Sequence, residues 1–268
     1  HNLKIEKYLT AETENPTQKY NRECRIPNIE KYLTAETGNP PQKFNHPFHL
    51  RPTEFVPIVR YRLGINVYSS EGNCPACGQQ SDKMGDHALA CARSRDRIAR
   101  HDLLRDLIFE AATNASLAPV KEERHLLPGT VARPGDVFIR RWSDGKDAAL
   151  DVTLTSPLAS SNLAAALHAQ AELSTARMIA KCGTQQKQQG IVFLPIALET
   201  LGGMHHQAIS QLKRLGAALA RHTGSDEREV VSQLVQRISL HLMRGNAAMI
   251  TSRRPVVYFM PPEMDGVE

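Results

Sequence analysis

The sequence predicts an α/β fold preceded by a small metal-held knuckle, and three stretches carry that prediction. The first is Gly135 to Ser156, where two β-type runs of alternating apolar and polar residues flank a Ser-Asp-Gly-Lys turn, the pattern of a half-buried hairpin. The second starts from the same hairpin. The run that ends at Thr155 is followed by an Ala-rich stretch, Ser161 to Lys181, free of Gly and Pro, and then by the almost wholly apolar run Ile191 to Leu198. Strand, helix, buried strand is a crossover unit with parallel strands. The third is the cluster Cys74-Pro-Ala-Cys77, His87 and Cys91.

Composition sets the outer limits. A chain of 268 residues with 41% hydrophobic content can bury one core of ordinary size with small appendages. The formal charge of +5 and a pI near 9.0 favour anionic partners. No apolar run approaches the roughly 18 residues of a membrane span, and the polar first residues do not read as a secretion signal. The start at His1 instead of Met is expected of a fragment. Five cysteines, three of them clustered and Cys24 and Cys182 standing alone, are not a disulfide framework and point to a reducing compartment.

In chain order, residues 4–21 recur almost unchanged at 28–45. A polar unit repeated only twice, with Pro in each copy, has no core to stack, so residues 1–50 are expected to be a flexible, duplicated leader. Pro52 to Tyr68 interleaves apolar residues with Arg60 and Arg62 and fits a short helix followed by a strand. Next comes the cysteine cluster. Two thiolates two residues apart clasp one ion from a tight knuckle, and His87 and Cys91, four apart, close a tetrahedron from the first turn of a helix. The expected ligand is Zn²⁺, and four protein ligands leave no open position, so its role is structural.

A helix is expected from Ala88 to Thr113, with Ile98, Leu103, Leu104, Leu107 and Ile108 on its apolar side. Arg93, Arg97, Arg100, His101 and Arg105 load its first half with positive charge, which reads either as a solvated face or as a phosphate-contact surface for nucleic acid. Val120 to Leu127 fits a short strand. Pro195 confines the Ile191 to Leu198 strand to an edge or a bulge. Helices are expected over His206 to Arg221 and Asp226 to Arg244, the second capped by Ser225. Residues 251–268 are a Pro-rich tail, with Val256 to Met260 able to add an edge strand.

The hairpin also carries the candidate chemistry. With a loop of two or four residues centred on Asp144-Gly145, Asp136 falls opposite Thr153 and diagonal to Asp151, on one face. Two carboxylates that close repel unless a cation or a shared proton relieves them, so the pair asks for a divalent metal; the bland alternative is two solvated strand carboxylates.

Several spaced motifs occur in order: Cys-x2-Cys with Gly-Asp-His-Ala-Leu-Ala-Cys, Ala-Arg-His-Asp-x-Leu-Arg-Asp, Arg-Pro-Gly-Asp-Val, Ala-Leu-Asp-Val-Thr-Leu-Thr-Ser-Pro-Leu, and Phe-Leu-Pro-Ile followed by Glu-Thr-Leu-Gly-Gly. From about Pro52 to Asn246 the chain resembles the region behind the reverse transcriptase in non-LTR retrotransposons that carry a restriction-like endonuclease. The resemblance implies a PD-(D/E)xK nuclease core, a mixed sheet with flanking helices, over residues 94–250. A zinc-knuckle segment, residues 51–93, would precede it, with DNA as substrate and RNA of the parent element as a further partner. A polymerase domain is not part of this chain.

Carried over position by position, Asp136 matches the first motif aspartate, Asp151 the second acid, and Glu122, or Glu123 beside it, an upstream acid. Asp136, Asp151 and the Val152 carbonyl would hold Mg²⁺ or Mn²⁺. The chain departs from the pattern where Gly135 separates Pro from Asp and where Thr153 stands in place of the usual lysine. In this branch the lysine often comes from the following helix, which nominates Lys181, with Arg177 as its substitute. The expected activity is metal-dependent DNA cleavage in the nucleus, or otherwise the cytoplasm. The alternative is a nucleic-acid-binding module, from a decayed or domesticated element, that no longer cuts.

Overall fold

The structure is a computed structural model and describes residues 50–91, 93, 95–124, 135–143, 145–158 and 190–257. The leader, Lys181 and Arg177 with the expected helix around them, Asp144, and the last eleven residues of the tail lie outside the described residues. The described part is a mixed α/β fold. In order it contains α1 (Pro52–Arg62), β1 (Gly72–Asn73), β2 (Gln80–Ser81), α2 (Asp86–Ala90), α3 (Arg95–Asn114), β3 (Val120–Lys121), β4 (Val137–Ser143), β5 (Lys146–Thr155), β6 (Val192–Glu199), α4 (His206–Thr223) and α5 (Glu227–Thr251).

Four strands make the main sheet, in the order β3-β4-β5-β6. The first three are antiparallel, and β6 joins β5 in parallel along the whole stretch from Ala148–Val192 to Thr155–Glu199. Both expectations from the sequence, hairpin and parallel neighbour, meet on β5. Pro195 lies on β6, which is an edge strand among the described residues, as a residue without an N–H requires.

The hairpin is tight at its tip, where Ser143 pairs with Lys146 across a two-residue loop. It is irregular just below, because residues 140–142 of β4 face Asp147 alone between the pairs Ile139–Ala148 and Ser143–Lys146. Strict alternation after Val137 and Ile139 would bury Arg141. Instead Arg141 takes a positive φ of 50° and its N–H bonds the Asp147 carboxylate at 2.9 Å, and Trp142 enters the core in its place. A bulge costs less than a guanidinium among apolar side chains. Trp142 is then held by α4: its Nε1–H donates to Gln211 at 3.2 Å and the Arg214 guanidinium lies over its ring.

One face of the sheet, lined by Val137, Ile139, Leu150, Val152, Ile196 and Leu198, packs against α3 and α4, which in turn pack on α5. On α3 the buried set is Arg100, Leu104, Leu107, Ile108, Ala111 and Ala112. The expected apolar side was misphased at its start: Ile98 and Leu103 are exposed and Arg100 is inside. These buried positions recur at spacings of three and four, one stripe of a 3.6-residue period, whereas Ile98 falls off that stripe. The helices approach closely at glycines. Gly216 of α4 faces Val231 of α5, where an added Cβ would stand 2.6 Å from Cγ2, and Gly245 of α5 faces the Arg100 stem.

A second cluster ties the knuckle to the core. Tyr61 of α1, Val67, Tyr68, Ala88 and Leu89 pack with Ala247, Met249 and Ile250 at the end of α5. Arg254, just beyond α5, lies over the Tyr68 ring and donates to the carbonyls of Ser70, Ser81 and Asp82. Four expectations are corrected here. The segment after α1 contains no strand before β1. The helix expected from Ala88 is broken between α2 and α3, because Cys91 takes non-helical backbone, φ −59° and ψ 116°. Asp226, not Ser225, caps α5, accepting the Glu229 N–H at 2.9 Å. Finally, α5 runs on to Thr251, so the first residue of the expected tail is helical.

Candidate functional site

The knuckle is built from a two-strand ladder and a helix start. β1 and β2 pair antiparallel, and the turn between them is closed by Cys74 N–H to Gln79 carbonyl and Gly78 N–H to Cys74 carbonyl, each 2.8 Å, with Gly78 at a φ of +74°. The loop after β2 turns back onto α2, where Asp82 accepts from three successive backbone N–H groups, those of Gly85, Asp86 and His87, at 2.6, 3.0 and 2.8 Å. This carboxylate fixes the turn that carries His87, and it was missed as a candidate. An Asp three residues before Gly85-Asp86-His87 was its signal, since such side chains satisfy the orphan N–H groups of a helix start.

The four ligand atoms of Cys74, Cys77, His87 and Cys91 all lie within 4.8 Å of one another. Cys74 Sγ is 3.9 Å from Cys91 Sγ, and Cys77 Sγ is 3.2 Å from His87 Nε2. Ligands on one tetrahedral Zn²⁺ stand about 3.5–3.8 Å apart, so the group could hold a metal such as zinc. Among the described residues the three cysteines are free thiols. Burial raises the Cys74 thiol, but the backbone N–H groups of Ala76 and Cys77 and the His87 ring outweigh it and bring it down to about 6. Burial pushes Cys91 the other way. A thiol poised to ionise at neutral pH is what a thiolate ligand needs.

The acids occupy one level of the sheet. Lys121 pairs with Val137 and Val137 with Leu150; one residue beyond each stand Glu122, Asp136 and Asp151. The backbone continues the order, Glu122 N–H donating to the Asp136 carbonyl and Asp136 N–H to the Leu150 carbonyl, both 2.9 Å. The bulge in β4 moves Asp136 two positions along β5, from the expected place opposite Thr153 to a place beside Asp151.

Asp136 Oδ2 accepts the Val152 N–H at 2.7 Å and meets His101 Nε2 of α3 at 3.0 Å. The same Nε2 lies 3.1 Å from the Val152 carbonyl. The Asp136 carboxylate drives the His101 imidazole up to about 9, against the lowering effect of its partial burial and with help from Asp102.

Neighbouring side chains extend this network. Arg105 donates to Glu122 at 2.7 Å and bridges Asp102 and Asp106 at 2.8 and 2.9 Å. Lys121 bridges Asp106 at 3.0 Å. Glu122 itself has a left-handed φ of 48°. Glu122 thus has a place beside Asp136 through its backbone, with its carboxylate turned to α3.

Two of the five residues expected on a phosphate surface are corrected. Arg100 is 2% exposed and donates to Asn246 Oδ1 at 2.7 Å; burial and the neighbouring Arg97 charge lower it to about 10. His101 belongs to the acidic row. Arg93 and Arg97 are exposed and Arg105 is engaged with three carboxylates. No protein-family model matches the chain, and no curated protein matches it. No helix among the described residues is long and apolar enough to cross a membrane.

Proposed function

We propose that the chain is a metal-dependent DNA endonuclease on the restriction-like scaffold found behind the reverse transcriptase of non-LTR retrotransposons. The observation that carries this reading is the acidic row: Glu122, Asp136 and Asp151 sit at one level of three adjacent strands. The order of elements, one helix, three antiparallel strands and a fourth strand parallel to the third, agrees with it. Asp136, Asp151 and the Val152 carbonyl would hold Mg²⁺ or Mn²⁺. A divalent ion there supplies Lewis-acid polarisation of the scissile phosphate and a lowered pKa for the attacking water. Glu122, tied to Arg105, orders the edge of the site. Of the five basic residues expected on a phosphate surface, Arg93 and Arg97 are exposed and available to DNA phosphates, or to RNA of the parent element, and Lys181 keeps the role of charge stabiliser. Zn²⁺ in the knuckle is structural.

One observation favours a second reading, a nucleic-acid-binding module that no longer cuts. Asp136 and the Val152 carbonyl both have His101 as a partner, and Glu122 has Arg105, so these groups are satisfied without an ion. Supercoiled plasmid incubated with the zinc-loaded chain separates the two. Nicking that needs Mg²⁺ or Mn²⁺, stops with chelator and is lost in Asp136→Asn carries the nuclease. Plasmid retention without nicking in either ion carries the binding module.

A further inference from the structure

Resting on the nuclease reading, we infer that His101 is a protein ligand of the divalent ion in the acidic row and gives the site a preference for Mn²⁺ over Mg²⁺. The argument is geometric. His101 Nε2 lies 3.0 Å from Asp136 Oδ2 and 3.1 Å from the Val152 carbonyl oxygen. Two ligands on neighbouring corners of an octahedron with bonds of about 2.1 Å are about 3.0 Å apart. The imidazole nitrogen therefore stands from both oxygens at the spacing of co-ligands of a single ion. Asp136 Oδ2 keeps its bond to the Val152 N–H at 2.7 Å, which holds the carboxylate against β5.

The other side of the ring is prepared as well. For Nε2 to bind an ion, the ion must displace the proton that Nε2 shares with Asp136 and leave the ring's remaining proton on Nδ1, where Asp102 Oδ1 stands at 3.4 Å, itself held by Arg105 at 2.8 Å. A carboxylate behind a histidine is the arrangement that sets the tautomer and aim of metal-bound imidazoles. His101 is half-buried on α3, a helix packed on the sheet through Leu104, Leu107 and Ile108, so its position is set by the core and not by a loop. A set of carboxylate, carbonyl and imidazole is mixed. Carboxylate and carbonyl suit Mg²⁺ and Mn²⁺ alike, while an imidazole nitrogen moves affinity along the transition-metal order and away from Mg²⁺.

The test uses the full, zinc-loaded chain and Mn²⁺ as the probe, read by electron paramagnetic resonance and its nitrogen modulation. Wild-type protein is expected to bind Mn²⁺ with an imidazole nitrogen coupling that shifts on labelling histidine with ¹⁵N. The coupling should vanish in His101→Gln, which keeps a hydrogen-bond donor toward Asp136 and should retain its zinc and circular dichroism. His101→Ala is the second variant. In competition, the Mn²⁺ over Mg²⁺ preference should fall at least tenfold in His101→Gln. Mn²⁺ that binds in an Asp136-dependent way without nitrogen coupling would overturn the ligand and leave the metal site standing. Absence of any Mn²⁺ binding that Asp136→Asn abolishes would overturn both the ligand and the nuclease reading beneath it.

Discussion

At the scale of residues, Arg100 and His101 are neighbours on α3 with different partners, Asn246 on α5 and Asp136 before β4. The thiol and imidazole spacing of the knuckle was readable because its ligands are local, held by one turn and one helix start. Arg100 and His101 were not separable by sequence, since both sit in one basic run. Their fates are set by partners 146 and 35 residues away, Asn246 and Asp136. Arg100→Ala should leave the Asn246 oxygen without its charged donor and cost about 2 kcal/mol in chemical denaturation, while the salt dependence of DNA binding stays as in the parent. Changing Arg93 and Arg97 together to Ala should do the reverse, flattening the salt slope by about two counterions with stability within about 0.5 kcal/mol. A slope that moves with Arg100 and not with the pair would return Arg100 to the DNA surface. Asp82→Ala removes the acceptor of three N–H groups under His87. Zinc should then pass to a competing chelator at least about tenfold more readily, as for loss of an outer support of a ligand. An unchanged transfer would show that the turn holds itself.

At the scale of elements, hairpin, parallel neighbour and the two last helices were legible from periodicity, and the failures came from tertiary demands on single residues. The β4 bulge exists because Trp142 and Arg141 must exchange places, and nothing local announces it. The break between α2 and α3 falls at Cys91, whose N–H still bonds the His87 carbonyl at 2.8 Å while its backbone leaves the helix, and no breaking residue in the local sequence announces it. The same break predicts how the elements respond to metal loss. The knuckle segment has only short strands and a five-residue helix, too little to persist alone, whereas the sheet buries its own face under α3 and α4, which α5 backs. Stripping zinc, or Cys77→Ser, should therefore abolish hydrogen-exchange protection over residues 72–91 while β4 and β5 keep theirs. Loss of protection in β5 at the same zinc level would mean that the two clusters unfold as one unit.

At the scale of the whole molecule, α3 and α5 join the two candidate ion sites. Arg100 of α3 and Asn246 of α5 meet at 2.7 Å, and Asn246 reaches on to the Thr200 carbonyl after β6 at 2.6 Å. Arg253, just past α5, pairs with Asp96 at the start of α3 at 3.0 Å. The knuckle packs on the end of α5, and the acidic row takes His101 from α3. The sites differ in chemistry. One has three soft thiolates and an imidazole and no open position; the other has hard oxygens with an imidazole at its mouth. They should therefore respond to chelators in sequence. A mild oxygen-donor chelator, in brief exposure, should stop cleavage at once and reversibly, because an ion held by a few oxygens and water exchanges freely, and added Mn²⁺ should restore the full rate. A soft, zinc-selective chelator should act more slowly, weaken DNA retention along with cleavage, and not be reversed by Mn²⁺ alone, because thiolate-bound zinc is part of the folded knuckle. Measured as nicking rate and DNA retention after each treatment, two separable losses are the expected result. A single simultaneous loss under the mild chelator, restored only by zinc, would place the essential ion in the knuckle and remove the acidic row from the chemistry.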